Sequence, residues 1–331
     1  MTKVKIAVIG TGHLGSIHCK LLKDNPLVDF VGVYDTNFEL AQQKAAEHNT
    51  LAFKSINDAI KSADALIIVT PTVYHYSTAI QCIAEGKHCF IEKPVTSTMR
   101  EARKLIGLAN KNPRLKLQVG HIERFNPAVQ AALKYDLNPM FIEAHRLSQF
   151  RPRATDVSVI HDLMIHDIDI VMWLVKSKVK KIDTNGLSVI TNTVDIANAR
   201  IQFENGSVAN LTASRLSANP LRKIRFFQRF GYISIDMSKP DLDVFRLARD
   251  GEDLKNAIPA SMLGAIENFP INEMQDLNIV FEKPEILPSN AMVEEHNSFI
   301  QSIQADTKPL VTIESAAAAL EVAEKIIKKI N

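Results

Sequence analysis

The sequence predicts two folds in series: a doubly wound α/β domain on a parallel sheet, then an α+β domain with a mainly antiparallel, open sheet. Three observations carry this prediction. The chain opens on an apolar strand, residues 5–9, that runs into Gly10-Thr11-Gly12-His13-Leu14-Gly15. Apolar runs of strand length then alternate with helix-favouring stretches as far as Gly120. Beyond that point strands follow one another with little helix between them.

The GxGxxG spacing belongs to a turn where a strand hands over to a helix. Gly10 permits the tight turn, Gly12 lets the backbone approach a pyrophosphate, and Gly15 lets helix and strand pack closely. A phosphate would sit on the N–H groups and the positive dipole end of that helix. The second strand, 30–34, ends at Asp35. A carboxylate there suits a ribose 2′-hydroxyl and repels a 2′-phosphate, so the expected cofactor is NAD rather than NADP. A helix follows over 38–48, then a short one ending near Lys61, and the apolar run 65–69 reads as a buried parallel strand stopped by Thr70-Pro71. A helix over 75–85 closes at Gly86. The strand 88–91 leads into Glu92-Lys93-Pro94, and a helix over 99–111 and a strand over 116–119 complete this Rossmann-type domain, 1–120.

The remainder, 121–331, is expected to bind substrate and to oligomerise. It starts with a helix near Pro127, a strand over 140–147 and a helix over 160–176. Strands are expected at 196–203 and 207–214, joined by the hairpin signal Glu204-Asn205-Gly206, and again at 222–230, 232–237, 243–248 and 276–282. Helices over 292–303 and 314–330 end the chain and are expected to pack back near the domain junction.

Composition excludes several classes. With 331 residues, 46% hydrophobic and 23% charged, the chain is long enough for two globular domains. A net charge of +2 gives no basic face for nucleic acid, and the lysine clusters 178–181 and 325–329 read as solvated faces. Cys19, Cys82 and Cys89 offer neither a disulfide framework nor a CxxC pair. The first strand starts too early to leave room for a signal peptide, and no apolar run is of membrane-spanning length. The expectation is a cytoplasmic protein without a membrane or nucleic-acid partner.

Ligands of open parallel sheets bind outside the carboxyl ends of the strands. The glycine turn, Asp35, Thr70-Pro71, Glu92-Lys93-Pro94 and Gly120-His121 all fall at such ends. From its position Lys93 can reach a cleft and stabilise an alkoxide as hydride leaves. In the second domain Asp162, His166 and Asp169 are spaced i, i+4, i+7 on an expected helix, so they share one face. His166 can take a hydroxyl proton while Asp162 orients the imidazole or binds a second hydroxyl. A metal site built on His161, Asp162 and His166 is the weaker reading, because hydride transfer from an alcohol proceeds without one, and no metal is expected. Arg146, Arg151 and Arg153 could grip a diphosphate or could be plain surface arginines.

These motifs together resemble the glucose-fructose oxidoreductase and inositol dehydrogenase family, known as Gfo/Idh/MocA. The likeness spans the chain: the glycine turn, Thr70-Pro71 with His75, Glu92-Lys93-Pro94, Gly120-His121 with Arg124-Phe125-Asn126-Pro127, and Asp162 with His166. It implies that Lys93 and His166 form the catalytic pair with Asp162 as partner. It implies that Thr70, Pro71, His75, Glu92 and Lys93 lie against the cofactor beside Gly10, Thr11, Gly12, His13, Leu14, Gly15 and Asp35. Arg124, Asn126, Arg151, Arg153 and Asp169 are the expected substrate contacts. The stretch 151–163 is similar to that of enzymes oxidising the 3-hydroxyl of UDP-N-acetylglucosamine, so a nucleotide sugar is the expected substrate. A dehydrogenase of a free sugar or inositol, and a cofactor-sensing regulator without turnover, stay open as alternatives. A homodimer or homotetramer through the second sheet is expected.

Overall fold

The computed structural model describes residues 2–150, 157–229, 231–248 and 279–330. The chain divides into two compact units, Met1–Phe125 with Ser289–Val322, and Asn126–Pro288 with Ala323–Asn331.

The first unit is built on six parallel strands, β1 (Val4–Ile9), β2 (Val28–Tyr34), β3 (Leu51–Ala52), β4 (Ala65–Ile68), β5 (His88–Glu92) and β6 (Leu117–Gly120). Their spatial order is β3-β2-β1-β4-β5-β6, with the reversal at β1 and β4. Side chains alternate between two dry faces: Ile6 and Val8 enter one buried cluster, Ala7 and Ile9 the other. The helices α1 (His13–Lys23), α2 (Phe38–His48), α3 (Ile56–Ser62), α4 (His75–Ala84) and α5 (Met99–Lys111) form the crossovers. Local chemistry starts several of them. Asn37 Oδ1 accepts from Leu40 N–H at 3.1 Å, and Thr98 with Glu101 closes a reciprocal cap on α5. β3 carries no sequence signal, because two residues are too few for a period-two pattern.

The second unit contains α6 (Pro127–Ala132), β7 (Phe141–Leu147), a π-helical turn Ile160–Met164 running into α7 (Ile165–Val175), then β8 (Val179–Leu187), β9 (Ile196–Phe203), β10 (Val208–Ser214), β11 (Leu221–Gln228), β12 (Gly231–Asp236), β13 (Asp241–Leu247) and β14 (Ile279–Glu282). Eight strands form one sheet in the order β14-β13-β12-β11-β7-β10-β9-β8. Every pair is antiparallel except β7 with β10. The hairpin foreseen at Asn205-Gly206 joins β9 to β10, with Gly206 at φ +89°. The lysines of the cluster at 178–181 are exposed, and Val179, Lys180 and Lys181 open an edge strand that the sequence reading missed, β8, where exposed lysines deter pairing with another sheet. Phe230 and residues 276–278, expected at strand ends, lie outside the described residues.

The segment Ser289–Val322 belongs to the first unit. Phe299 and Ile300 of α8 (Ala291–Gln304) join the cluster of Ile6, Val8 and Phe90, while Val311, Ile313 and Leu320, around the start of α9 (Ile313–Ile330), join that of Ile9, Ile68 and Ile91. Among the described residues no helix is long and apolar enough to cross a membrane.

In the second unit α7 is fastened to the sheet by a buried ion pair. Arg146 on β7 donates from Nε to both Asp167 oxygens, at 3.1 and 3.0 Å, and from Nη2 to Oδ1 at 2.8 Å. Exposure of the two residues is only 3% and 2%. This corrects the reading of Arg146 as a diphosphate ligand, since its fork is already matched bidentately by a carboxylate. Truncating one partner strands the other charge in a dry site. Arg146→Ala is therefore expected to lower unfolding stability by about 3–5 kcal/mol. Urea denaturation checks this, and a loss under about 1 kcal/mol would contradict it.

Candidate active site

The glycine turn sits between β1 and α1. Gly10 has φ +96°, and a Cβ there would lie 2.7 Å from Val69 O. A Cβ on Gly15 would overlap Gly10 O, so the helix can approach the turn only because both are glycine. Around Gly12 the space is open: an added Cβ would meet nothing within 4 Å. No side chain caps α1 and no acidic residue occupies its first turn. An uncapped helix N-terminus beside an open Gly12 suits the pyrophosphate of a dinucleotide. His13 is exposed at the first position of α1 and Leu14 is half-buried beside it.

Asp35, at the end of β2, is tied to this turn. Its Oδ2 accepts from Thr11 N–H at 2.7 Å and from Thr11 Oγ1 at 3.0 Å, while Oδ1 accepts from Asn37 N–H at 2.9 Å. Thr36 Oγ1 also approaches Oδ1, at 3.5 Å; this long contact is the one a ribose hydroxyl would displace. At the end of β4, the buried Thr70 Oγ1 has no hydrogen-bond partner among the described residues. His75, at the start of α4, is buried and reaches two carbonyl oxygens, Pro94 O from Nδ1 at 2.8 Å and Thr70 O from Nε2 at 2.9 Å. Burial holds its protonation below the ordinary histidine range, against the pull of the two carbonyls. Its ring lies between the loops at the ends of β4 and β5 and, when neutral, donates to one of the two carbonyls at a time.

Lys93 follows β5 directly, half-buried, with a cis peptide bond to Pro94. The side chain of Glu92 points inward: Oε2 accepts from Lys93 N–H at 3.1 Å, and Oε1 lies 3.0 Å from His18 Nε2. His18 Nδ1 is in turn 2.7 Å from His296 Nε2 on α8. Sequence reading missed both histidines. The signal for His18 was present, because it lies in the buried stripe Gly15, His18, Cys19, Leu22 of α1. Nothing in the sequence links His296 to position 18, since only folding joins them.

In the second unit Asp162 occupies the π-helical turn and His166 the first turn of α7, both half-buried on one continuous helical stretch, 160–175. A π turn inside a helix is frequent at functional sites. The approach to this stretch is anchored: Val157 O accepts from Arg215 Nη2 and, at 3.3 Å, from Thr193 Oγ1. The neighbouring loop is held by Asp195. Burial would raise that carboxyl, but the N–H groups of Val189, Ile190 and Thr191 and the Thr191 hydroxyl hold it at about 2.

Other expected contacts are placed differently. Asp169 is 1% exposed, buried within α7. Asn126 caps α6, its Oδ1 accepting from Ala128 N–H at 3.0 Å, and donates from Nδ2 to Met237 O at 3.1 Å. The substrate role expected of it meets a side chain engaged at both ends. Arg124 is 2% exposed and donates to Leu310 O at 3.3 Å. Arg151 and Arg153 lie outside the described residues. All three cysteines are buried, and burial pushes the Cys19 thiol up to about 12, which rules it out as a nucleophile. Among the described residues no three His, Cys, Asp or Glu side chains converge as a metal-binding group.

Comparison with known proteins identifies the family of the chain. Residues 4–121 match the model of an oxidoreductase family with an NAD-binding Rossmann fold, and residues 128–233 match the GFO/IDH/MocA C-terminal domain. The UDP-N-acetylglucosamine 3-dehydrogenase of Acidithiobacillus ferrooxidans is 39% identical over 74% of this chain and 78% of its own length. Its solved structure superposes with a TM-score of 0.87 at 31% identity, covering 100% of this chain and 98% of that one. The NAD(+)-dependent scyllo-inositol 2-dehydrogenase of Bacillus subtilis is 30% identical over 65% of this chain and 68% of its own length. With both domain models matched in order along one polypeptide, and a nucleotide turn of the required geometry, the chain belongs to the Gfo/Idh/MocA family of NAD-binding oxidoreductases.

Proposed function

We propose that the protein is an NAD-dependent dehydrogenase that oxidises the 3-hydroxyl of a nucleotide sugar of the UDP-N-acetylglucosamine type. The observation that carries the reading is the joint presence of Glu92-Lys93-Pro94 at the end of β5 and of Asp162 and His166 on one helical stretch. The likeness to a UDP-N-acetylglucosamine 3-dehydrogenase, 39% identical, supports the substrate class. NAD, when bound, supplies the acceptor for the hydride leaving the sugar carbon. His166 takes the hydroxyl proton, imidazole being the side chain that changes protonation nearest neutral pH. The Lys93 ammonium donates to the same oxygen and stabilises the alkoxide charge that develops. Asp162 orients the imidazole or binds a neighbouring hydroxyl. Arg151 and Arg153 are assigned the diphosphate, which their guanidinium forks suit. The cytoplasm is the proposed location, since three buried free thiols suit a reducing compartment.

A surface for self-association belongs to the same reading. On one face of the second sheet Phe141, Phe227, Tyr232, Phe245 and Phe281 stand opposite one another on five successive strands, with ring centroids 5.8, 4.9, 5.7 and 4.7 Å apart. Such a row of aromatic side chains, Phe227 being 37% exposed, is suited to burial against a second copy of the chain.

Mixing the protein with NAD and a panel of UDP-sugars, free sugars and inositols, and following NADH absorbance, tests the substrate. Signal with UDP-N-acetylglucosamine is expected, and signal with polyols alone would move the assignment to a free sugar or inositol. Lys93→Met and His166→Ala are each expected to lower kcat by about 10²- to 10⁴-fold with NAD affinity retained. Full turnover in either would end the assignment. Asp35→Ala should erode the preference for NAD over NADP in kcat/KM, and a wild-type enzyme preferring NADP would contradict the role given to Asp35. Sedimentation velocity should show an oligomer that Phe227→Glu dissociates; a monomeric wild type excludes the interface.

A further inference from the structure

Glu92, His18 and His296 form a buried polar row that the proposed chemistry does not use. His18 is 0%, His296 1% and Glu92 7% exposed. The rings of Phe90 and Phe299 wall it on the apolar side, with Phe90 edge-on to His18 and His296 at centroid distances of 5.7 and 6.0 Å. A polar row in such a dry place persists only if its members satisfy one another.

The direction of the hydrogen bonds follows from Glu92. Burial raises its carboxyl, but the His18 bond and charge and the Lys93 N–H outweigh this and keep it below the ordinary carboxylate range. As an ionised group it only accepts, so His18 must donate from Nε2. His18 Nδ1 shares a hydrogen bond with His296 Nε2, one ring donating and the other accepting. The other ring nitrogen of His296, Nδ1, has no partner among the described residues. Burial and His18 hold His296 well below the usual histidine range, which keeps it neutral as the row requires.

The carboxylate is also confined from the opposite side. Gly120 pairs with Glu92 across β6 and β5, and a Cβ there would stand 2.9 Å from Oε1 and 3.0 Å from Oε2. Its far oxygen holds the amide of Lys93, the residue at which the chain leaves the sheet.

We propose that His18 and His296 are positioning residues: through the row His296 to His18 to Glu92, with Gly120 as backstop, they fix the Lys93 amide and hence where the lysine leaves β5. The link to turnover rests on the assignment of Lys93 above; the anchoring of the amide does not.

The test uses the full-length protein and two independent readouts. In His18→Leu the donor to Glu92 is lost, whereas in His18→Gln an amide N–H occupies the place of Nε2. Hydrogen exchange at the Lys93 amide, read by mass spectrometry of the peptide spanning 92–98, is expected to rise at least tenfold in His18→Leu and to stay near wild type in His18→Gln. Over the same series kcat should fall about tenfold in His18→Leu with the KM for NAD little changed, and recover in His18→Gln. Gly120→Ala displaces the carboxylate without touching either histidine, so it should reproduce both effects even where His18→Leu fails to fold. Unchanged Lys93 exchange in folded Gly120→Ala and His18→Leu overturns the proposal, as does faster exchange that His18→Gln fails to rescue. Should Lys93→Met itself retain full activity, the catalytic assignment fails while the exchange result still decides the anchoring.

Discussion

A parallel sheet that is apolar on both faces must be covered on both, and most of the first unit follows from that constraint. β1 shows it most plainly: Ile6 and Val8 need one layer of cover, Ala7 and Ile9 another. The crossover helices α1 to α5 supply part of each layer. The chain supplies the rest by returning after a long excursion, laying Phe299 and Ile300 on one face and Val311, Ile313 and Leu320 on the other. With helices on both faces, ligands of this architecture bind outside the carboxyl ends of the strands. The glycine turn, Asp35, Thr70, His75 and Lys93 all lie at the carboxyl ends.

The same burial that stabilises the sheet makes each enclosed charge consequential. Arg146 with Asp167 and Glu92 with His18 lie in dry surroundings, where a satisfied group is rigid and an unsatisfied one is costly. Both pairs stand one residue from a side chain assigned to the chemistry, Asp167 next to His166 and Glu92 next to Lys93. Buried polar contacts of this kind limit where the neighbouring residue can be, which is what a hydride transfer needs, since misplacement by about 1 Å can cost about 10²-fold in rate.

Local patterns told most of the fold. The alternation of apolar runs with helical stretches, the caps at Asn37 and Thr98, and the Asn205-Gly206 hairpin are short-range signals, and each is realised where its residues stand. Elements with weak local signals were misread or missed: β3 is too short, and β8 carries lysines because it is an edge. Of the candidate site, the glycine turn, Asp35 and Lys93 were legible because strand ends and turns bear distinctive residues. Arg146 was misread because an arginine looks the same in sequence whether it meets a phosphate or a buried carboxylate.

The sequence by itself determined most of the order of elements, the strand–helix alternation that marks a doubly wound domain and the identity of the polar groups at the strand ends, all properties of neighbours along the chain. Tertiary structure alone decided which charges are paired and which histidines meet. His18 and His296 are brought to 2.7 Å only because the C-terminal segment returns to cover the first sheet. Periodicity records which face of an element is buried; it does not record what is buried against it, and that choice is made when the whole chain closes its core.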